Sequence, residues 1–285
     1  MALARSYRGQ RIGQRSGPRV SPRLLIGAVI AIIALVTYFS RTQVNPVTGE
    51  KQRIAASFEQ EVAMGLQAAP QMAQEFGGLH PDAAAQALVD RVGGAIVAAL
   101  PEEAPPYPYE FHLLADPRTV NAFALPGGQI FITAALYERL ETEGQLAGVL
   151  GHEVGHVVGR HSAERLAKAQ LTQGLVGAVA VGSSDTAAGQ QMAANAAAMV
   201  GNMVMLKYGR EDELQSDQLG LRFMADAGYD PRAMVRVMQI LEQASGGSRV
   251  PEFSSSHPNP GNRIERINAL IEEMYPGGVP EGLKK

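Results

Sequence analysis

The segment His152-Glu153-Val154-Gly155-His156 has residue types and a spacing that suit metal chemistry. Residues i and i+4 lie on one face of a helix, one turn apart. Two imidazoles at that spacing can bind one Zn²⁺, and the carboxylate of Glu153 then points at the water that the metal activates. The alternative interpretation is an ordinary helix with two hydrogen-bonded histidines. The combination of spacing and residue types favours a hydrolytic zinc site.

A catalytic zinc needs a third protein ligand and an open fourth position. The best candidates lie within residues 208–217. On a helix, Glu213 and Asp217 share one face with Gly220 and Met224, so two carboxylates lie on the stripe that should be buried. Glu213 as a zinc ligand, and Asp217 as the hydrogen-bond partner of a ligand histidine, would explain both positions. The alternative is a solvated acidic start of a helix, because acids favour the first turn.

The helix that carries the two histidines is predicted to run from residue 143 into the 160s. Thr142 and Gln145 form a capping-box pattern at its start. Its apolar residues form one arc of the helical wheel and are Leu146, Val149, Leu150, Val154, Val157 and Val158. Glu153 falls at the edge of this arc, where a carboxylate is costly unless it has a partner. On such a helix, the pattern H-E-x-x-H is the signature of zinc metallopeptidases.

Short strands are predicted between two N-terminal helices and the helix that carries the histidines. The helices are expected over 57–75 and 82–99, and the strands over 109–113, 122–125 and 130–133. A small antiparallel sheet fits these strands. The strand 129–133 is expected to pair with an extended substrate by β-augmentation. The predicted substrate-binding residues are Gly128, Gln129, Ile130, Phe131 and Ile132.

Residues 171–205 are rich in Ala, Gly and Met and carry a single charge, Asp185. Neither half of this stretch is long enough or apolar enough to span a membrane. We therefore expect close-packed helices here, or a cover over the site. A clean amphipathic helix follows over 264–274.

The N-terminal part of the chain predicts a membrane anchor. Leu24 to Phe39 is a run of sixteen residues without a charge, and six arginines but no acid occur in residues 1–40. We predict a basic cytoplasmic arm over 1–23, a transmembrane anchor over 24–40, a linker over 41–56 and a catalytic domain over 57–285. The positive-inside rule places everything after residue 41 on the far side of the membrane. The alternative is the apolar region of a cleaved signal peptide.

Charge and composition exclude several functions. The net charge is -3, and without those six arginines the 25 basic residues fall to 19 against 28 acidic ones. A domain that acidic is a poor nucleic-acid binder, so no nucleic-acid partner is expected. The chain has no Cys, which excludes disulfides, cysteine-ligated zinc and thiol catalysis.

Four segments together resemble the membrane-associated zinc metallopeptidases of the CAAX-protease and HtpX group, which are gluzincins. The similarity covers most of residues 50–275 and is greatest to the periplasmic and mitochondrial inner-membrane quality-control members. The segments that carry it are NAFALPGG at 121–128, LAGVLGHEVGHVVGRH at 146–161, REDELQSD at 210–217, and His257-Pro258 with Arg263. The resemblance implies an α+β fold, mainly helical, with a small antiparallel sheet and one N-terminal transmembrane helix.

The resemblance also implies roles for single residues. His152, His156 and Glu213 would bind one Zn²⁺ per chain, with Glu153 as the general base. It places Ser256-His257-Pro258 and Arg263 near the metal. There, His257 would stabilise the oxyanion or reach the zinc and block it, and Arg263 would hold a carboxylate or a substrate carbonyl. His161 is interpreted as a packing or capping residue.

The expected function is that of a zinc-dependent endopeptidase that cleaves unfolded or misfolded envelope proteins. The expected location is the bacterial inner membrane, as a single-pass protein with its catalytic domain in the periplasm, or the periplasm itself after signal cleavage. One alternative is a membrane-tethered chaperone or adaptor that binds misfolded clients and cleaves rarely. A prenyl protease within the bilayer is disfavoured, because it would need several membrane spans.

Overall fold

The computed structural model describes residues 21–183, 208–245 and 261–285, together with Phe253 and His257. Its helices in these ranges are α1 (Pro22–Ser40), α2 (Phe58–Glu75), α3 (Ala83–Ala98), α4 (Ala134–Tyr137), α5 (Glu143–Val158), α6 (His161–Ser183), α7 (Arg210–Asp226), α8 (Arg232–Ser245) and α9 (Arg263–Met274). Its strands are β1 (Thr42–Val44), β2 (Lys51–Arg53), β3 (Glu110–Leu114), β4 (Ala122–Ala124) and β5 (Gln129–Thr133). The predicted class, a mainly helical α+β fold, is confirmed.

The predicted helix starts follow from their capping residues. Ser57 accepts a hydrogen bond from the backbone of Gln60 at 3.3 Å, and the Gln60 side chain accepts one from the backbone of Ser57 at 2.8 Å. This capping box begins α2 within one residue of the predicted start at residue 57. Thr142 likewise accepts from the backbone of Gln145 at 3.3 Å at the start of α5. The Gln145 side chain, however, accepts from the backbone of Glu141, so only half of the predicted box forms there.

The three central strands form a mixed sheet in the order β3-β5-β4. β4 pairs antiparallel with β5, but β3 pairs parallel with β5, so the expectation of an antiparallel sheet is wrong for one of the two pairs. The expectation that Gly128 to Ile132 take up a substrate strand is also wrong. Both edges of β5 are already hydrogen-bonded to neighbouring strands, so a further strand cannot pair with it. The free edges of such a sheet belong to its outer strands.

Helix α5 forms the centre of the core, and fifteen of its sixteen residues are buried. It packs against α7, α3 and α8 and lies beside β4. A helix surrounded in this way is apolar almost all round. Its polar residues therefore have to find partners within the protein, which places the two histidines and Glu153 in a low-dielectric site.

Helices α5 and α7 approach closely because glycines face each other at their crossing. A Cβ added at Gly220 would lie 2.8 Å from the backbone nitrogen of His152, and one added at Gly155 would lie 2.8 Å from the carbonyl oxygen of Ser216. The Ser216 hydroxyl donates to the carbonyl of His152 at 2.5 Å. The crossing brings the acidic face of α7 within reach of the histidines of α5.

The segment between α1 and α2 binds the C-terminal end of α5. β1 and β2 form an antiparallel hairpin within the predicted linker. From this hairpin, Asn45 donates to the carbonyl of Val158 at 2.9 Å and Gln52 donates to the carbonyl of Gly159 at 2.5 Å. Terminal carbonyls of a helix lack intrahelical donors, so these amides satisfy part of the helix end.

Arg160 separates α5 from α6 and is one of the buried charges of the fold. Its φ of 53° is left-handed, which is unusual for a residue with a side chain. Its guanidinium pairs with the buried carboxylate of Glu61, donates to the carbonyl of Ala56 at 3.0 Å, and lies 4.2 Å from the ring of Phe58. These contacts compensate the burial of the charge and the backbone conformation.

Within the described ranges, α1 is the one helix that is long and apolar enough to cross a membrane by length and composition. It has 19 residues with a mean hydropathy of 2.1 and is mostly exposed. Helix α6 packs along it. The first part of the Ala-, Gly- and Met-rich stretch 171–205 belongs to α6, which ends at Ser183, and residues 184–207 lie outside the described residues.

Candidate active site

The structure brings His152 and His156 together on the face of α5 that meets α7. Their Nε2 atoms are 3.1 Å apart. Both rings are buried, and they meet edge to face with centroids 4.7 Å apart. Two ring nitrogens that point into one space are the arrangement expected for two ligands of one metal.

Glu213 of α7 lies opposite the two histidines. Its carboxylate oxygens are 3.5 Å from Nε2 of His152 and 3.5 Å from Nε2 of His156. One ligand atom from each of His152, His156, Glu213 and His257 lies within 4.8 Å of the others. The sequence predicted the first three as the zinc ligands, and the structure places them around one point.

Asp217 holds the other ring nitrogen of His152. Its Oδ1 lies 2.9 Å from Nδ1 of that ring, as predicted for the partner of a ligand. Arg263 of α9 donates to both oxygens of Asp217, at 2.7 and 2.6 Å, and lies 3.1 Å from Glu213. Of the two roles expected for Arg263, the structure supports holding a carboxylate. It places a buried positive charge behind two buried carboxylates.

His156 has a partner that the sequence analysis did not assign. Its Nδ1 lies 2.8 Å from Nδ1 of His161, and Nε2 of His161 lies 2.8 Å from the side-chain oxygen of Gln215. Tyr208 stacks on the His156 ring at 3.7 Å. His161 follows His156 by five residues, which is off its helical face, so periodicity argued against contact. The left-handed residue Arg160 redirects the chain and creates this contact.

Glu153 is fully buried, and among the described residues neither of its carboxylate oxygens has a hydrogen-bond partner. Burial raises the pKa of its carboxyl, although electrostatic interactions with the nearby His257 and His152 oppose the shift. A buried carboxylate without hydrogen bonds is costly and is retained where chemistry requires it. Its position between the two ligand histidines is the one expected of a general base.

His257 is the fourth group in this cluster. Its Nδ1 lies 3.0 Å from Glu213 and 3.3 Å from Nε2 of His152, and its Nε2 lies 3.6 Å from Glu153. Its ring stacks on Phe253 with centroids 4.4 Å apart. Ser256 and Pro258, expected beside it, lie outside the described residues. His257 therefore faces the point where the three predicted ligands converge.

The charges around this point suit a divalent cation. Burial lowers the pKa of His152, but hydrogen bonds to Asp217 and Glu213 outweigh burial and raise it to about 9. The two carboxylates thus stabilise a positive charge at this ring. A bound cation would supply that charge while the ring itself stays neutral. Burial lowers the pKa of His156 well below its ordinary value, which leaves this ring neutral. Burial raises the pKa of Glu213, but the facing His257 and the hydrogen bonds from the histidines hold it well below its usual range.

Two histidines and a glutamate with these partners fit a catalytic zinc, which takes three nitrogen or oxygen ligands from the protein and keeps a fourth tetrahedral position open. Neutral imidazoles and an ionised carboxylate are the ligand states that zinc requires. The histidines and the catalytic glutamate on one helix, with the third ligand on a second helix, define a gluzincin metallopeptidase.

The chain belongs to peptidase family M48, whose family model matches residues 80–271. It is 30% identical over 255 residues to the mitochondrial metalloendopeptidase OMA1 of Schizosaccharomyces pombe, a match that covers 87% of this chain and 72% of that protein. It is 31% identical over 175 residues to the β-barrel assembly-enhancing protease of Escherichia coli, which covers 59% of this chain and 36% of that protein. These findings confirm the predicted zinc metalloendopeptidase.

Proposed function

We propose that this protein is a membrane-anchored zinc endopeptidase that cleaves unfolded or misfolded proteins of the bacterial cell envelope. The observation that carries the proposal is the convergence of His152, His156 and Glu213 beside the buried carboxylate of Glu153, which accepts no hydrogen bond from the described residues. The similarity to a β-barrel assembly-enhancing protease supports an envelope setting.

Five residues of the site have roles in peptide hydrolysis. His152, His156 and Glu213 would hold Zn²⁺, which when bound would polarise the scissile carbonyl and lower the pKa of a water to about 7. Glu153 takes the proton of the attacking water and passes it to the leaving amine. Asp217 keeps the His152 ring in the orientation and tautomer that direct its Nε2 into the site.

Strand β4 is the structural candidate for substrate binding, in place of β5. It is an outer strand of the sheet and lies beside α5. Just before it, the backbone N–H of Phe253 donates to the carbonyl of Val120 at 3.3 Å. The backbone at this end of the sheet can therefore accept hydrogen bonds from a segment outside the sheet. A substrate paired in this way is recognised through its backbone. Such recognition favours extended, unfolded chains over particular sequences.

The location follows from α1 and the arm before it. A mostly exposed apolar helix of 19 residues is explained by lipid contact. The six arginines up to residue 23 orient the arm to the cytoplasm and the peptidase domain to the periplasm. A reporter fused after residue 45 should be active on the periplasmic side, and a cytoplasmic reading would refute this orientation.

The position of His257 supports a second candidate function. Its ring lies against Glu213 and His152, where a fourth ligand would compete with substrate. A protein held in that state would bind misfolded clients and cleave them rarely, as a tethered chaperone or adaptor. Turnover of casein by the purified protein, with and without a chelator, separates the two functions: chelator-sensitive turnover supports the peptidase, and binding without turnover supports the adaptor.

The central experiment replaces Glu153 with Gln. Since general-base catalysis contributes about 10²–10⁴-fold, E153Q should lose at least about 100-fold in casein cleavage. Its zinc content should remain one per chain, because the three ligands are unchanged. Glu272→Gln on the exposed face of α9 is the matched control and should cleave as the unaltered protein does. Cleavage by E153Q at the unaltered rate would overturn the assignment.

A further inference from the structure

Helix α6 lies antiparallel along α1. Ala34 of α1 faces Gly174, where an added Cβ would lie 2.8 Å from the Ala34 methyl carbon. Near the C-terminal end of α1, Tyr38 and Arg41 line a small cavity together with Leu171. Leu171 of α6 therefore lies near the C-terminal end of α1, and Gly174 lies beside Ala34, which is earlier in α1. From there α6 continues towards the N-terminal end of α1.

The face of α1 that α6 covers is narrow. The less exposed positions of α1 repeat at helical spacing and are Gly27, Ile30, Ala31, Ala34 and Tyr38. Small residues at such a spacing allow two helices to pack closely within a lipid environment. Large apolar side chains on the remaining faces are exposed, among them Val29 at 54%.

Helix α6 becomes free of charged residues where it reaches α1. Lys168 is its last charged residue, and residues 169–183 carry no charge. Ten residues from Gly174 to Ser183 extend about 15 Å at about 1.5 Å per residue, roughly half of a hydrocarbon core of about 30 Å. Within this part, Val179 is an exposed large apolar residue, at 57%.

Basic and aromatic residues mark the level at which this apolar part begins. The guanidinium of Arg53 lies 5.2 Å from the ring of Tyr38 and 4.9 Å from the ring of Phe39. Lys168 is exposed on α6, one turn before Leu171. Aromatic rings with Arg and Lys are typical of the boundary between a membrane and water.

We propose that the C-terminal half of α6 enters the same lipid bilayer as α1, to about half its depth, and that lipid acyl chains contact it at the exposed side chain of Val179. This proposal rests on the proposed membrane anchor. Because α6 packs directly against α1, both helices lie at the same depth in the bilayer. A rigid antiparallel pair cannot place one helix in lipid and the other in water at the same level. The peptidase domain is then held to the membrane at two points, with α6 leading directly back to His161 and the zinc site.

The experiment uses the absence of Trp and Cys from the chain. Single Trp residues are introduced in the full-length protein, which is reconstituted into phosphatidylcholine and phosphatidylglycerol vesicles with brominated acyl chains. Because Ala34 faces Gly174, Val29 and Val179 lie at the same level, and their exposures match. V29W and V179W should be quenched to the same degree. L79W, at a residue that is 61% exposed in the peptidase domain, should not be quenched.

The outcomes distinguish the proposed insertion of α6 from the proposed membrane anchor α1. Quenching of V29W without quenching of V179W would overturn the insertion of α6 and leave the anchor standing. Quenching of neither would overturn both. V179C provides a second measurement that does not depend on a large side chain: it should resist a membrane-impermeant maleimide in intact vesicles and react after detergent is added. Reaction of V179C in intact vesicles at the rate of L79C would also overturn the proposal.

Discussion

His161 should control how tightly the site binds zinc, although it does not face the metal. An amide oxygen only accepts hydrogen bonds, so Gln215 requires a proton on Nε2 of His161. Nδ1 of His161 is then an acceptor, and the Nδ1–H of His156 donates a hydrogen bond to it. This chain of hydrogen bonds leaves the Nε2 lone pair of His156 directed into the site. His161 is therefore a positioning residue for a zinc ligand.

Replacing His161 with Leu removes the acceptor and leaves a buried N–H on His156 without a partner. Loss of a ligand's hydrogen-bond partner typically weakens metal binding about 10–100-fold. This range corresponds to about 1.4–2.7 kcal/mol, similar to the roughly 1–3 kcal/mol expected for one unsatisfied buried donor. His161→Asn keeps an acceptor near the position of Nδ1 and should recover most of the affinity.

The assay is competition for zinc between the metal-free protein and a chromophoric chelator at constant pH. Thermal unfolding of each metal-free variant reports separately on folding. His80→Leu replaces a half-buried histidine outside the site, which accepts a hydrogen bond from the backbone of Asp82, and is the control. Unaltered zinc affinity in H161L would refute the reasoning, and so would an H161N variant that binds as weakly as H161L.

Two further predictions concern the buried ion pair behind the site and the close helix crossing that positions it. Asp217→Ala removes one of the two carboxylates that neutralise Arg263, which is only 3% exposed, and should lower the free energy of unfolding of the metal-free protein by about 3 kcal/mol, measured by urea denaturation. An unchanged midpoint would contradict the buried pairing. Gly220→Ala should cost about 1–3 kcal/mol in the same assay, because the new Cβ meets the backbone of α5. In contrast, Gly94→Ala, whose Cβ meets nothing within 4 Å, should be neutral or stabilising, and equal effects would contradict the close helix crossing.

The zinc ligands were predictable because each half of the site follows a local rule. The spacing of His152 and His156 places both on one helical face, and the spacing of Glu213 and Asp217 does the same on another helix. A buried face that carries two carboxylates needs a partner of opposite charge or a metal. The resemblance then added His257 and Arg263, which no local pattern connects to the other two segments.

The order of the strands was not predictable from pattern. The short turn at Gly127-Gly128 predicts an antiparallel pair, and it does join β4 to β5 in that way. The parallel partner β3 comes from earlier in the chain. Because pairing with β3 depends on packing against α3 and α5, the central position of β5 is a property of the assembled core.

Residue types and a helical period that holds within each segment were enough to predict a zinc site, its candidate ligands and a general base. The contact of His161 with His156, the outer position of β4 rather than β5, and the packing of α6 along α1 became visible in the folded chain. Each of these depends on a contact between distant segments or on a single left-handed residue, Arg160, which turns the chain after α5. Helical periodicity describes one element, whereas such contacts arise from how the elements pack together.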